Sequence, residues 1–124
     1  MNMLVAIALG GGIGALGRHF LSSAVAAIFG TAFPWGIFVV NILGGLLMGL
    51  IVEMGALKVA FSLETRAFLT TGLLGGFTTF SAFSLDASLL IERGDWMGAM
   101  FYVAGSAVLS IVALFAGMWL VRSL

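Results

Sequence analysis

The uncharged run from His19 to Val52 constrains this chain more than any other feature. A helix crosses about 30 Å of hydrocarbon with about 20 apolar residues, so this run is too long for one crossing and has to turn within itself. The turn falls at Gly30-Thr31-Ala32-Phe33-Pro34-Trp35-Gly36. Proline fixes its own φ, disfavours helix in the residue before it and suits a first helical turn, so Pro34 is expected to open a second span. The remaining charges stand at Arg18, Glu53, Lys58, Glu64, Arg66, Asp86, Glu92, Arg93, Asp95 and Arg122. The stretches between them predict four spans, at about 3–28, 35–53, 67–90 and 97–121, in a single transmembrane domain over 1–124.

Composition agrees with a lipid solvent. Hydrophobic residues make up 62% of the chain and charged residues only 8%, against about 45–50% and about 25% in soluble domains. Such a chain cannot cover a water-facing surface with polar groups. Five basic and five acidic side chains cancel, which leaves no basic footprint and predicts no nucleic-acid partner. With no cysteine there is no disulfide framework, thiol nucleophile or thiolate metal site. A single histidine, His19, excludes a multi-histidine metal cluster within one chain. The N-terminal stretch has neither a basic leader nor a small-residue cleavage site, and is expected to be the first membrane helix and not a signal peptide.

Four spans place both termini on one face with Lys58, Arg66 and Arg122, and leave Arg93 and Arg18 for the other. Orientation follows an excess of Lys and Arg in cytoplasmic loops, and three against two is hardly an instruction. That near-balance permits insertion both ways round and an antiparallel homodimer with its two-fold axis in the membrane plane. A fixed orientation set by a weak bias is the alternative.

Glycine occurs 18 times, about twice the usual frequency. Gly10 with Gly14, Gly45 with Gly49 and Gly72 with Gly76 each keep the four-residue spacing that lets helix backbones approach closely in lipid. The third pair leads into Gly75-Gly76-Phe77-Thr78-Thr79-Phe80-Ser81-Ala82-Phe83-Ser84, a run of poor helix formers near the middle of span three. A helix broken there leaves carbonyls without partners, which is tolerated at membrane depth only where protein, a cavity or an ion satisfies them. A continuous helix with small residues at a packing interface is the competing reading.

Phe80 and Phe83 share one helix face, and Ser81 and Ser84 an adjacent one. Ring edges carry partial positive charge and hydroxyls donate hydrogen bonds, so both suit an anion; lipid contact and bonds to the helix's own backbone are the ordinary alternatives. Asn41, deep in span two, offers two donors to an anion or glue between helices. Span four adds Tyr102, Ser106 and Ser110 as a polar seam. Arg18, the only charge in the first 52 residues, either faces a cavity as an anion vestibule or anchors a helix end. Asp86 fits a vestibule or a buried pair. No span holds a carboxylate near its midpoint for proton coupling, and no serine, histidine and acid set is available for hydrolysis, so no catalysis is expected.

These residues resemble the small fluoride channels of the Fluc or CrcB family over essentially the whole chain. Three motifs carry the resemblance: Gly11-Gly12-Ile13-Gly14-Ala15-Leu16-Gly17-Arg18, Pro34-Trp35-Gly36 followed by Asn41 and Gly44, and Gly75-Gly76-Phe77-Thr78-Thr79-Phe80-Ser81-Ala82-Phe83. The resemblance implies an all-α membrane protein of four helices with the third broken near its middle, assembled as an antiparallel dual-topology homodimer in the prokaryotic inner membrane. It implies passive fluoride export along two pathways per dimer, and a structural central sodium ion held by the backbone carbonyls of Gly75 and Thr78. It also implies that Asn41, Phe80, Phe83, Ser81, Tyr102 and Ser110 line the fluoride pathway, with Arg18 at its vestibule. Three positions depart from the family pattern: Ala82 and Ile37 stand where threonine is usual, and His19 where tyrosine often follows the arginine. Losing two hydroxyls bears on the polar track and not on the fold. Asp86 stands where glutamate is expected and keeps its charge. The competing functions are a dual-topology exporter of cationic compounds, which would need a carboxylate that the first span lacks, and a structural subunit of a larger membrane complex.

Overall fold

The structure, a computed structural model, describes residues 2–124. Its first helix, α1 (Met3–Phe29), starts where Asn2 Oδ1 accepts the Leu4 N–H at 2.7 Å and stops at Gly30, whose φ of 85° a side chain would resist. Pro34 sits at the N-cap of α2 (Trp35–Leu57). This helix runs on past the expected end near 53, because the Glu53 carboxylate that interrupts the apolar run is buried and receives the Arg122 guanidinium at 3.0 and 3.4 Å. A paired charge does not have to end a span.

The third span starts earlier than expected, at α3 (Leu63–Ala67), where Ser62 Oγ accepts the Thr65 N–H. It continues through a π-helical stretch over Phe68–Leu74 and a short α4 (Gly75–Phe77) into α5 (Ser81–Glu92). The fourth is α6 (Trp96–Arg122), capped by Asp95 accepting the Gly98 N–H at 2.8 Å. Four helical segments are therefore long and apolar enough to cross a membrane. The third does not part into two half-helices of separate direction: it bends by 19°. The departure from helix is confined to Thr78, Thr79 and Phe80, and Thr78 is extended (φ −83°, ψ 157°).

Two pairings build the bundle, α2 against α6 and α1 against the π-helical stretch and α4. The glycine pairs explain how closely they approach. A Cβ on Gly14 would overlap the Leu73 carbonyl, one on Gly76 the Gly11 carbonyl, and one on Gly49 the Leu114 carbonyl. Backbone lies on backbone, which is how helices gain dispersion contacts in a solvent as apolar as their side chains. The buried cluster is small and aromatic: Phe38, Tyr102, Leu90, Ala87 and Ala99, with Phe33, Trp35 and Phe83 packed against it. Leu16, Phe20, Ile28, Met97, Phe115 and many other large apolar residues point outward, the pattern of a bundle solvated by lipid.

Each end is tied across helices. On the face that carries both termini, Lys58 Nζ donates to the Leu124 carbonyl at 3.0 Å beside the Glu53–Arg122 pair. On the opposite face the Arg93 guanidinium donates to the Ala32 carbonyl, joining the two short loops there.

Candidate functional site

The bend in the third span exists because its hydrogen bonds are rerouted. The Thr79 N–H, which in a continuous helix would close onto the Gly75 carbonyl, donates instead to Asn41 Oδ1 at 3.0 Å. Ala82 N–H, the helical partner of the Thr78 carbonyl, donates to Thr79 Oγ1 at 3.1 Å. The Thr79 carbonyl in turn accepts from Asn41 Nδ2 at 3.1 Å. Asn41 thus substitutes for one turn of helix, accepting one backbone N–H and giving one to a backbone carbonyl. The carbonyls of Gly75, Gly76 and Thr78 lose their α-helical donors in the process.

Beside the bend lies an open groove of about 450 Å3 between α2, the third span and α6. Asn41, Thr78, Phe80, Phe83 and Ser110 all reach it. The rings of Phe80 and Phe83 lie 5.6 Å apart, and Phe80 is 79% exposed. Asn41 has two amide hydrogens and gives one to Thr79, so a second remains for the groove it lines. Ser106 also lines the groove. Its hydroxyl is buried, only 4% of the residue being exposed, and it has no hydrogen-bond partner among the described residues. From the sequence Ser106 was one member of a seam beside Tyr102 and Ser110, and the four-residue step to Ser110 was its only signal. Its unmet hydroxyl makes it the better candidate of the seam, since a buried donor left unpaired costs about 1–3 kcal/mol.

Tyr102 lies elsewhere. It is fully buried, its ring 5.0 Å from that of Phe83, and it lines neither the groove at the bend nor the cavity beside Arg18. Its hydroxyl donates to Asp86 Oδ2 at 3.1 Å. Of the two readings of Asp86, a vestibule group or a member of a buried pair, the geometry supplies the pair.

Ser81 and Arg18 meet in a second open cavity, of about 500 Å3, on the other side of α5. Arg18 stands 11 residues, about 16 Å, before the end of α1, at membrane depth and not at a helix end. Ile37 and Ala82 face the same cavity, so α2 and α5 present methyl groups there where hydroxyls were expected. The candidate residues therefore divide: Ser81 and Arg18 in one concavity, Asn41, Phe80, Phe83 and Ser110 in another, Tyr102 packed between helices.

A hard cation needs hard oxygen donors. Among the described residues no group of three or more His, Cys, Asp or Glu side chains is placed to hold a metal, so side-chain ligation of that kind is not on offer. The freed carbonyls of Gly75 and Thr78 are oxygens of the right type, and two from each of two chains would make a set of four.

The sequence matches the profile of the family described as CrcB-like protein, Camphor Resistance (CrcB), over residues 5–118. It is 52% identical over all of its length, and 99% of the relative's, to a protein of Chelativorans sp. (strain BNC1) named fluoride-specific ion channel FluC. A protein of the same name from Rhodopseudomonas palustris (strain BisB5) is 53% identical over 94% of each chain, and one from Rhodospirillum centenum (strain ATCC 51521 / SW) is 47% identical over 99% of this chain and 98% of its own.

Proposed function

The chain belongs to the CrcB-like family and is a multi-pass protein of the cell membrane, and from that membership and the groove at the bend we propose that it is a fluoride-specific ion channel. It is a channel and not an enzyme, and it lets fluoride leave the cell passively, driven by its gradient and the membrane potential. Ser106 supports this reading most directly. A donor buried at membrane depth without a partner is a cost to the fold, and it is offset if an anion in the groove that Ser106 lines with Phe80 and Phe83 takes that hydrogen bond.

Fluoride is small and strongly hydrated, so it enters low dielectric only where close donors replace its water. The spare Asn41 amide hydrogen, the Ser106 and Ser110 hydroxyls and the phenyl ring edges are neutral donors of that kind. Neutral donors suit conduction, because a full positive charge in the narrow part would hold the ion too tightly to release it. Arg18 acts at the vestibule, where attraction without trapping is useful, and Ser81 passes the ion inward.

The functional unit is an antiparallel homodimer with two pathways. A groove with Phe80 exposed above the Asn41 amide and the Ser110 hydroxyl carries polar groups that lipid does not satisfy, and a second copy covers it. Sodium fits the Gly75 and Thr78 carbonyls of the two chains. When bound it supplies positive charge that offsets part of the cost of bringing an anion into low dielectric.

The test is fluoride efflux from liposomes containing the purified protein, followed with a fluoride electrode and repeated with chloride at matched gradients. Rapid fluoride release without chloride release is the expected result. Absence of fluoride release from folded, reconstituted protein would overturn the channel reading.

A further inference from the structure

The cavity beside the middle of α1 has one more wall residue whose chemistry is unused. His19 lines it together with Arg18, Ser22 and Ser81, and is exposed. Ser22 Oγ is already committed, donating to the His19 carbonyl at 3.2 Å, and Ser81 Oγ lies 3.4 Å from Thr79 Oγ1. From α2 and α5 the cavity receives Ile37 and Ala82, which donate nothing. The Arg18 guanidinium and the His19 imidazole have no hydrogen-bond or ion-pair partner among the described residues.

Resting on the conduction reading above, we infer that His19 is a second anion-binding residue of this cavity: its ring N–H meets fluoride beside the Arg18 guanidinium and stands in for the hydroxyls that Ile37 and Ala82 do not supply. No carboxylate lines the cavity to neutralise the pair. On α5, the Asp86 carboxylate accepts the Tyr102 hydroxyl, and Glu92 lies at the exposed end of the helix. On α2 the one charged group is Glu53, paired with Arg122 near the far end of the helix, and α3 carries Glu64 and Arg66 at the far end of the third span. The π-helical stretch and α4, which pack on α1, carry no charge.

The His19 ring offers one N–H to an anion held beside the Arg18 guanidinium, at a wall where Ile37 and Ala82 offer none.

Initial fluoride efflux is measured over a series of fluoride concentrations in proteoliposomes, with release from protein-free vesicles subtracted. His19→Leu, which has no donor, should raise the half-saturating fluoride concentration about threefold or more, the factor expected for one weak net hydrogen bond. His19→Gln, which keeps an N–H donor, should hold the unaltered value to within about twofold, which a merely steric role for the ring would not predict. A His19→Leu protein with the unaltered half-saturating concentration, or a His19→Gln protein as impaired as His19→Leu, overturns the assignment and leaves the channel reading standing. No fluoride release from the unaltered protein overturns the channel reading, and this one with it.

Discussion

Asn41 serves two roles with one side chain. It holds the bend by exchanging hydrogen bonds with both backbone groups of Thr79, and it lines the groove with one amide hydrogen unspent. Asn41→Asp keeps an acceptor for the Thr79 N–H, loses the donor to the Thr79 carbonyl and puts a negative charge beside the proposed anion path. Fluoride efflux should drop at least about tenfold, which needs only about 1.4 kcal/mol, while gel filtration in detergent still shows an assembled protein. Ser106 separates function from packing more cleanly. Because its hydroxyl has no partner, Ser106→Ala removes a buried unpaired group and should leave thermal stability unchanged or slightly raised. Its efflux should nevertheless fall several-fold, up to about tenfold, for the loss of one hydrogen bond to an anion, worth about 1.5 kcal/mol. Normal efflux in this variant would remove Ser106 from the path.

At the scale of the elements, the pairing of α1 with the third span depends on the absence of side chains at a few positions. Gly14→Ala places a methyl on the Leu73 carbonyl, backbone that cannot move aside alone. A loss of about 1–3 kcal/mol is expected for such overpacking, seen as a lower melting temperature in detergent. Gly12 is the internal control: a Cβ there meets nothing within 4 Å, so Gly12→Ala should be neutral or gain about 0.5–1 kcal/mol by favouring helix. The bend is an element-level feature with a cause outside its own sequence. Gly75, Gly76, Thr78 and Thr79 weaken the helix locally, but Asn41, 38 positions away from Thr79, supplies the bonds that make the diverted backbone tolerable. The result is a bent helix in which the Gly75, Gly76 and Thr78 carbonyls are freed.

For the whole molecule, the charge balance governs how it sits in the bilayer. Arg18 stands near the middle of α1 and belongs to neither face, so Lys58, Arg66 and Arg122 on one face stand against Arg93 on the other, still few charges to fix an orientation. In an antiparallel dimer a C-terminal tag should be reached comparably by an impermeant reagent from both sides of the membrane. Labelling from one side alone would sink the antiparallel assembly. Replacing sodium by a large organic cation should lower the dimer's melting temperature, since the Gly75 and Thr78 carbonyls would then face one another without a charge between them. A melting temperature indifferent to the cation would dismiss the sodium site.

What the sequence by itself determined is whatever depends on one-dimensional order: four apolar stretches, the turn at Pro34, the close-packing glycine pairs, and the aromatic and polar residues clustered in the third span. Lipid forces this much, because a backbone crossing hydrocarbon has to satisfy its own hydrogen bonds and leaves helix as the only local choice. Tertiary structure alone decided where α2 ends, because Glu53 is neutralised by Arg122, 69 positions away. It also decided that Tyr102 spends its hydroxyl on Asp86 while Ser106 keeps a free one. In a chain with so few charged residues, a polar group's role is set by the partner it finds across the bundle, and that partner sits on another span.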